Sequence, residues 1–93
     1  METVTIQIGN SDDKLSQKEW VNFINETRQC AGKHCGQIHF DGASKFDSVW
    51  QNVCIVAEIY EIDKENLMNE LRTIRKKYRQ YAIAVTLGQT AMV

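Results

Sequence analysis

Residues 53 to 60, Val-Cys-Ile-Val-Ala-Glu-Ile-Tyr, are the longest run of strand-forming residues in the chain. Successive side chains of a strand point to opposite sides, so Val53, Ile55, Ala57 and Ile59 share one wholly apolar face. Cys54, Val56, Glu58 and Tyr60 share the other, which is mixed. Such a strand belongs near the middle of a sheet, with helices over the first face and the second face only partly wet. Three more segments alternate in the same way. Thr3 to Ile8 puts Val4, Ile6 and Ile8 on one side, Gln37 to Asp41 puts Ile38 and Phe40 inward, and Tyr81 to Leu87 puts Tyr81, Ile83, Val85 and Leu87 opposite Ala82, Ala84 and Thr86.

Between the first two strands the apolar period changes to that of a helix. Ser16-Gln-Lys-Glu19 has the form of a capping box, with Leu15 and Trp20 at the spacing of a hydrophobic staple. Trp20, Phe23, Ile24, Thr27 and Ala31 then fall on one stripe, and Gly32 is the predicted stop. Asp63 is the predicted cap of a second helix, Ile62 and Leu67 repeat the staple spacing, and Leu67, Leu71, Ile74 and Tyr78 form the buried stripe. Glu65 near its start and Arg75, Lys76, Lys77 and Arg79 at its end follow the order that the helix dipole favours. Residues 42–50 read as a long loop, since Gly, Ser and Asp interrupt any period.

The order of elements is therefore β-α-β-β-α-β. It resembles the ferredoxin-like fold, and the resemblance rests on element order alone. It implies one α+β domain over residues 1–93, a four-stranded antiparallel sheet in the order 4-1-3-2, and both helices on one face. That fold hosts many unrelated functions and carries none by itself.

Composition narrows the partners. The 93 residues carry a net charge of -1, with 43% hydrophobic and 25% charged residues, an ordinary globular balance. A chain so nearly neutral is not drawn to phosphate backbones, so nucleic acid is not expected. No apolar run approaches the length of a membrane helix, and Met-Glu-Thr-Val-Thr-Ile has no basic-then-apolar signal, which predicts a cytoplasmic protein with reduced thiols at Cys30, Cys35 and Cys54. Asn25-Glu-Thr27 matches a glycosylation sequon that has no meaning without secretion.

The predicted topology gathers Asn10, Asp12 and Asp13, the 42–50 loop, and Lys76, Lys77 and Arg79 at one end of the sheet. Cys30, His34, Cys35 and the chain termini gather at the other. The open face shows Thr5, Gln7 and His39, the mixed side of residues 54–60, and the small residues of the last strand. A half-apolar face of this kind is usually covered by a subunit or a ligand.

Each chemical candidate has a plainer reading beside it. Cys30, His34, Cys35 and His39 have donor types that suit zinc, but there is no C-x-x-C pair and His39 sits on a different element, so no metal is assigned. His39 and Glu58 on neighbouring strands could work as a general acid–base pair, with Cys54 nearby and Tyr60 lining the same pocket; a structural polar pair at an interface is the preferred reading. Asp12, Asp13 and Asp47 could hold Mg²⁺ or Ca²⁺, but a solvated loop has the same composition. Phe46, Val49 and Trp50 are apolar residues in a polar loop, with Phe46 the expected partner contact and Trp50 the expected plug of the core edge. The basic end of the second helix reads as a solvated face, and Thr5, Gln7, Cys54 and Val56 stand where an RRM would carry stacking aromatics.

The sequence thus predicts a small cytoplasmic binding or accessory protein without catalysis or cofactor, of the inhibitor or immunity type. Phe46, Asp47, Trp50, His39 and Glu58 would serve a protein partner or a homodimer. The alternative is a small enzyme or ligand-binding domain of the dimeric α+β barrel type, with His39, Glu58 and Tyr60 in a pocket on the open face.

Overall fold

The computed structural model describes residues 2–10, 12–45 and 50–93. The elements run β1 (Glu2–Gly9), α1 (Gln17–His34), β2 (Ile38–Ala43), β3 (Asn52–Ile59), a short 3-10 turn (Glu61–Asp63), α2 (Lys64–Lys77) and β4 (Ala84–Gln89). The four strands make one antiparallel sheet in the order β2-β3-β1-β4, which is the expected 4-1-3-2 read from the other edge.

The apolar alternation drives this arrangement. Val4, Ile6 and Ile8 of β1 and Val53, Ile55, Ala57 and Ile59 of β3 are buried, and they form one cluster with Phe23, Cys30 and Ala31 of α1 and Leu67, Leu71 and Ile74 of α2. Both helices therefore cover the same face. Phe23 lies at its centre, edge-on to Trp20 at 6.0 Å and stacked on Tyr78 at 5.0 Å between ring centroids. Among the described residues no helix is long and apolar enough to cross a membrane.

The start of α1 forms as its sequence predicts. The Ser16 hydroxyl accepts from the Glu19 N–H at 3.2 Å, and the Glu19 carboxylate accepts from the Ser16 N–H at 3.1 Å. Leu15 is buried ahead of it, held by a fully buried Asn10 whose amide donates to Leu15 O and accepts from Leu15 N. Asn10 also bonds Gln51 through its side chain and its N–H, tying the two loops at this end together, and Lys14 Nζ reaches Arg79 O at 2.8 Å.

Seven expectations are corrected. Gly32 does not stop α1, which continues to His34 and closes when the Cys35 N–H bonds Ala31 O in an extended cap. Asp63 gives no side-chain cap to α2, because the 3-10 turn already leads the backbone into the helix, and Ile62 is 83% exposed and makes no staple. The last strand begins at Ala84 and not at Tyr81, whose ring is 95% exposed beneath Lys14 Nζ. β2 runs through Gly42 and Ala43, so the loop is shorter than predicted, and Trp50 is 66% exposed and not buried at the core edge.

The seventh concerns Phe40. Ile38 pairs with Ala57 but Phe40 pairs with Val56, so β2 advances two residues where β3 advances one. This bulge inserts His39 and reverses the facing of everything after it. Phe40 turns to the open face and Asp41 to the helix side, where Arg28 of α1 grips it with contacts of 2.8–3.0 Å. Gly42 makes room for the turned ring: a Cβ there would overlap Phe40.

Candidate functional site

The uncovered face of the sheet is the candidate site. Its register follows from the pairings: Gln7 lies between Cys54 and Ala84, Thr5 between Val56 and Thr86, and Thr3 between Glu58 and Gly88. The β2 edge adds Phe40, 54% exposed, opposite Val56. A shallow concavity of about 640 Å³ opens between the edges, with Phe40 and Gly42 on one side, Gln7 and Cys54 on its floor, and Ala82 and Ala84 on the other. None of the described residues lining it is charged.

A second concavity of about 490 Å³ lies at the other end of the face, lined by Glu2, Thr3, His39, Val56, Glu58 and tail residues Thr90 and Met92. There the bulge presents His39 Nε2 to Glu58 Oε1 at 3.2 Å, both side chains partly exposed. The predicted His39–Glu58 pair thus forms. Tyr60 does not line this hollow; its ring lies beside Gly36 instead. Nor is Cys54 near the pair, since Cys54 and Glu58 are four residues apart on one strand, about 13 Å at the usual rise. An imidazole–carboxylate pair can relay a proton, and the hydroxyl residues Thr3 and Thr90 line the same hollow.

The other candidates separate. Cys30 and His34 face α2, where Glu70 meets them, while His39 stands on the sheet, so the proposed Cys30, His34, Cys35 and His39 set does not converge. Asp12 accepts from Lys14 N within its own turn. Phe46, Asp47 and Val49 lie outside the described residues. The basic end of α2 is solvated and also paired: Arg79 bonds Glu19 at 2.9 Å and Lys77 bonds Glu26 at 2.8 Å with both cationic side chains more than half exposed, and the Tyr78 hydroxyl donates to Glu26. Burial and that carboxylate push the Tyr78 phenol up to about 12. Hydrogen bonds from Lys77 and Tyr78 outweigh burial to hold the Glu26 carboxyl below the usual range.

Two features of the structure were not anticipated. Phe40 on the open face had no signal in the alternation, though Gly42 within a strand is one mark of a bulge. Glu70 was missed because it sits between the buried positions Leu67, Leu71 and Ile74 of α2 and reads as the helix's polar margin. Its carboxyl is held down chiefly by the His34 hydrogen bond, and the Cys30 thiol is pushed up to about 12 by burial and then by Glu70.

No protein-family model and no curated protein matches the chain. The geometry of the open face is what a functional reading has to rest on.

Proposed function

We propose that this chain is a small non-catalytic binding protein whose interaction surface is the open face of its sheet, and that the occupant of that face is a second copy of the chain. The observation that carries the reading is Phe40, turned outward by the bulge into a concavity whose described lining residues carry no charge. A large side chain stands on the β2 edge, and Ala82, Ala84 and Thr86 stand at the opposite edge. A twofold axis along the strand direction lays the β2 edge of one copy over the β4 edge of the other. Phe40 then meets small residues twice, the self-complementarity that an isologous dimer requires. A net charge of -1 sets up little repulsion between copies.

Sedimentation velocity over a range of concentrations tests this. The wild type is expected to dimerise, while Phe40→Ala and Ala84→Phe, one emptying the contact and the other overfilling it, are expected to remain folded and monomeric. A dimer unchanged in both variants sinks the proposed interface. A wild type that stays monomeric but binds a different protein through Phe40 points to an occupant of the kind that inhibitor and immunity proteins engage.

One observation favours a second reading, a ligand-binding or catalytic domain shaped like the dimeric α+β barrels. His39 and Glu58 meet at 3.2 Å at the edge of the 490 Å³ hollow, which a partner sheet would enclose. Native mass spectrometry that finds a small molecule retained by the wild type and lost in His39→Ala supports this reading; a dimer of bare chain mass opposes it.

A further inference from the structure

Away from the sheet, three unlike donors converge between the helices. Cys30 and His34 are one turn apart on α1 and project from the same side. Glu70 reaches them from α2, with Oε1 at 3.2 Å from His34 Nε2. One ligand atom from each of the three lies within 4.8 Å of the other two. We propose that Cys30, His34 and Glu70 form a divalent metal site that clamps α1 to α2, with Zn²⁺ the ion of best fit.

The donor set selects the ion class. Thiolate and imidazole suit Zn²⁺ and its analogue Co²⁺, and a carboxylate completes either, whereas Mg²⁺ and Ca²⁺ take oxygen. Bond lengths near 2.0–2.3 Å put neighbouring donors of a tetrahedral ion roughly 3.3–3.6 Å apart. The His34–Glu70 separation of 3.2 Å lies just under that range, and the full set closes with side-chain adjustments on the order of 1 Å. Cys30 is fully buried, while His34 and Glu70 are partly exposed, so the fourth position faces outward and takes water. Lys33 Nζ competes for Glu70 Oε1 at 3.1 Å, but its side chain is largely exposed and can swing clear. Binding releases the Cys30 proton to solvent, because the thiolate is the ligand.

The test is a Co²⁺ titration of the reduced, metal-free full chain, followed by absorbance. The expected result is saturable binding of one ion per chain, with a thiolate-to-cobalt charge-transfer band and the intense visible bands of four-coordinate Co²⁺, both abolished by Zn²⁺. Glu70→Gln and His34→Gln should each weaken binding by roughly tenfold or more, the scale of even an indirect loss at a metal site. Cys30→Ser should lose the charge-transfer band, and Cys54→Ser should keep it. Should Cys30→Ser fail to fold, the two variants at partly exposed positions decide alone. A wild type without a saturable charge-transfer band overturns the site, and so does a band that survives either Glu70→Gln or His34→Gln at unchanged affinity.

Discussion

Phe23 and Phe40 are the same side chain placed on opposite sides of one sheet. Phe23 is fully enclosed, stacked on the Tyr78 ring and edge-on to Trp20. Phe40 is more than half exposed, lies over a glycine, and borders a concavity with no charge among its described lining residues. The helix-covered face spends its apolar residues on the fold of one chain. The open face carries apolar surface that one chain leaves uncovered, and such surface is where association is found. The difference teaches where to look for function: not at the best-packed aromatic, but at the one that packing has left over.

The comparison is broken most severely by truncating each ring. Phe23→Ala should cost about 3–5 kcal/mol of unfolding free energy, the range for a buried phenylalanine, measured as a fall in the urea midpoint. Phe40→Ala should change the stability of the monomer by no more than about 0.5 kcal/mol while weakening self-association. Equal losses of monomer stability would mean that the two faces are not distinct in the way described.

A smaller effect probes the cap that orients the enclosed ring. Ser16→Ala should cost about 1 kcal/mol, seen in thermal unfolding, because it leaves the Glu19 N–H without its acceptor and loosens the first turn of α1 ahead of Trp20 and Phe23.

Alkaline pH sharpens the comparison further, since Tyr78, which stacks on Phe23, holds its proton more tightly in the folded chain than in the unfolded one. Its phenol is raised from 10.0 to about 12 by burial and by Glu26. The resulting stabilisation is fully present below about pH 10 and is lost as pH rises toward about 12. Tyr78→Phe should flatten the fall in melting temperature across that window. The smallest effect belongs to the exposed rim. Asp41→Asn should cost under about 1 kcal/mol in urea unfolding, even though Arg28 grips Asp41 through three contacts.

The two faces also differed in how plainly the sequence wrote them. Alternation at Val4, Ile6 and Ile8 and at Val53 to Ile59 was enough for the sheet order and the helix-covered side, because burying one face specifies register. The capping box at Ser16 was readable because its partners are three residues apart. The bulge was not, because Ile38-His39-Phe40-Asp41 alternates well without it. Only the pairing with β3, the Arg28 contact and the space at Gly42 reveal that Phe40 turns out and Asp41 turns in. The His39–Glu58 pair was legible from strand adjacency, and the bulge brings it about by a different route. Glu70 beside Cys30 and His34 depends on how two helices dock, for which no short-range pattern exists.

The most direct test places a fluorine on the phenylalanine rings. Of the three phenylalanines, Phe23 and Phe40 can each be assigned by substitution in a fluorophenylalanine-labelled chain, and the ¹⁹F spectrum followed as the protein is concentrated. The account predicts that the Phe40 resonance moves or splits with concentration while the Phe23 resonance stays fixed. A Phe40 resonance that never changes over a range in which sedimentation shows association, or one that behaves like Phe23 at every dilution, would contradict it.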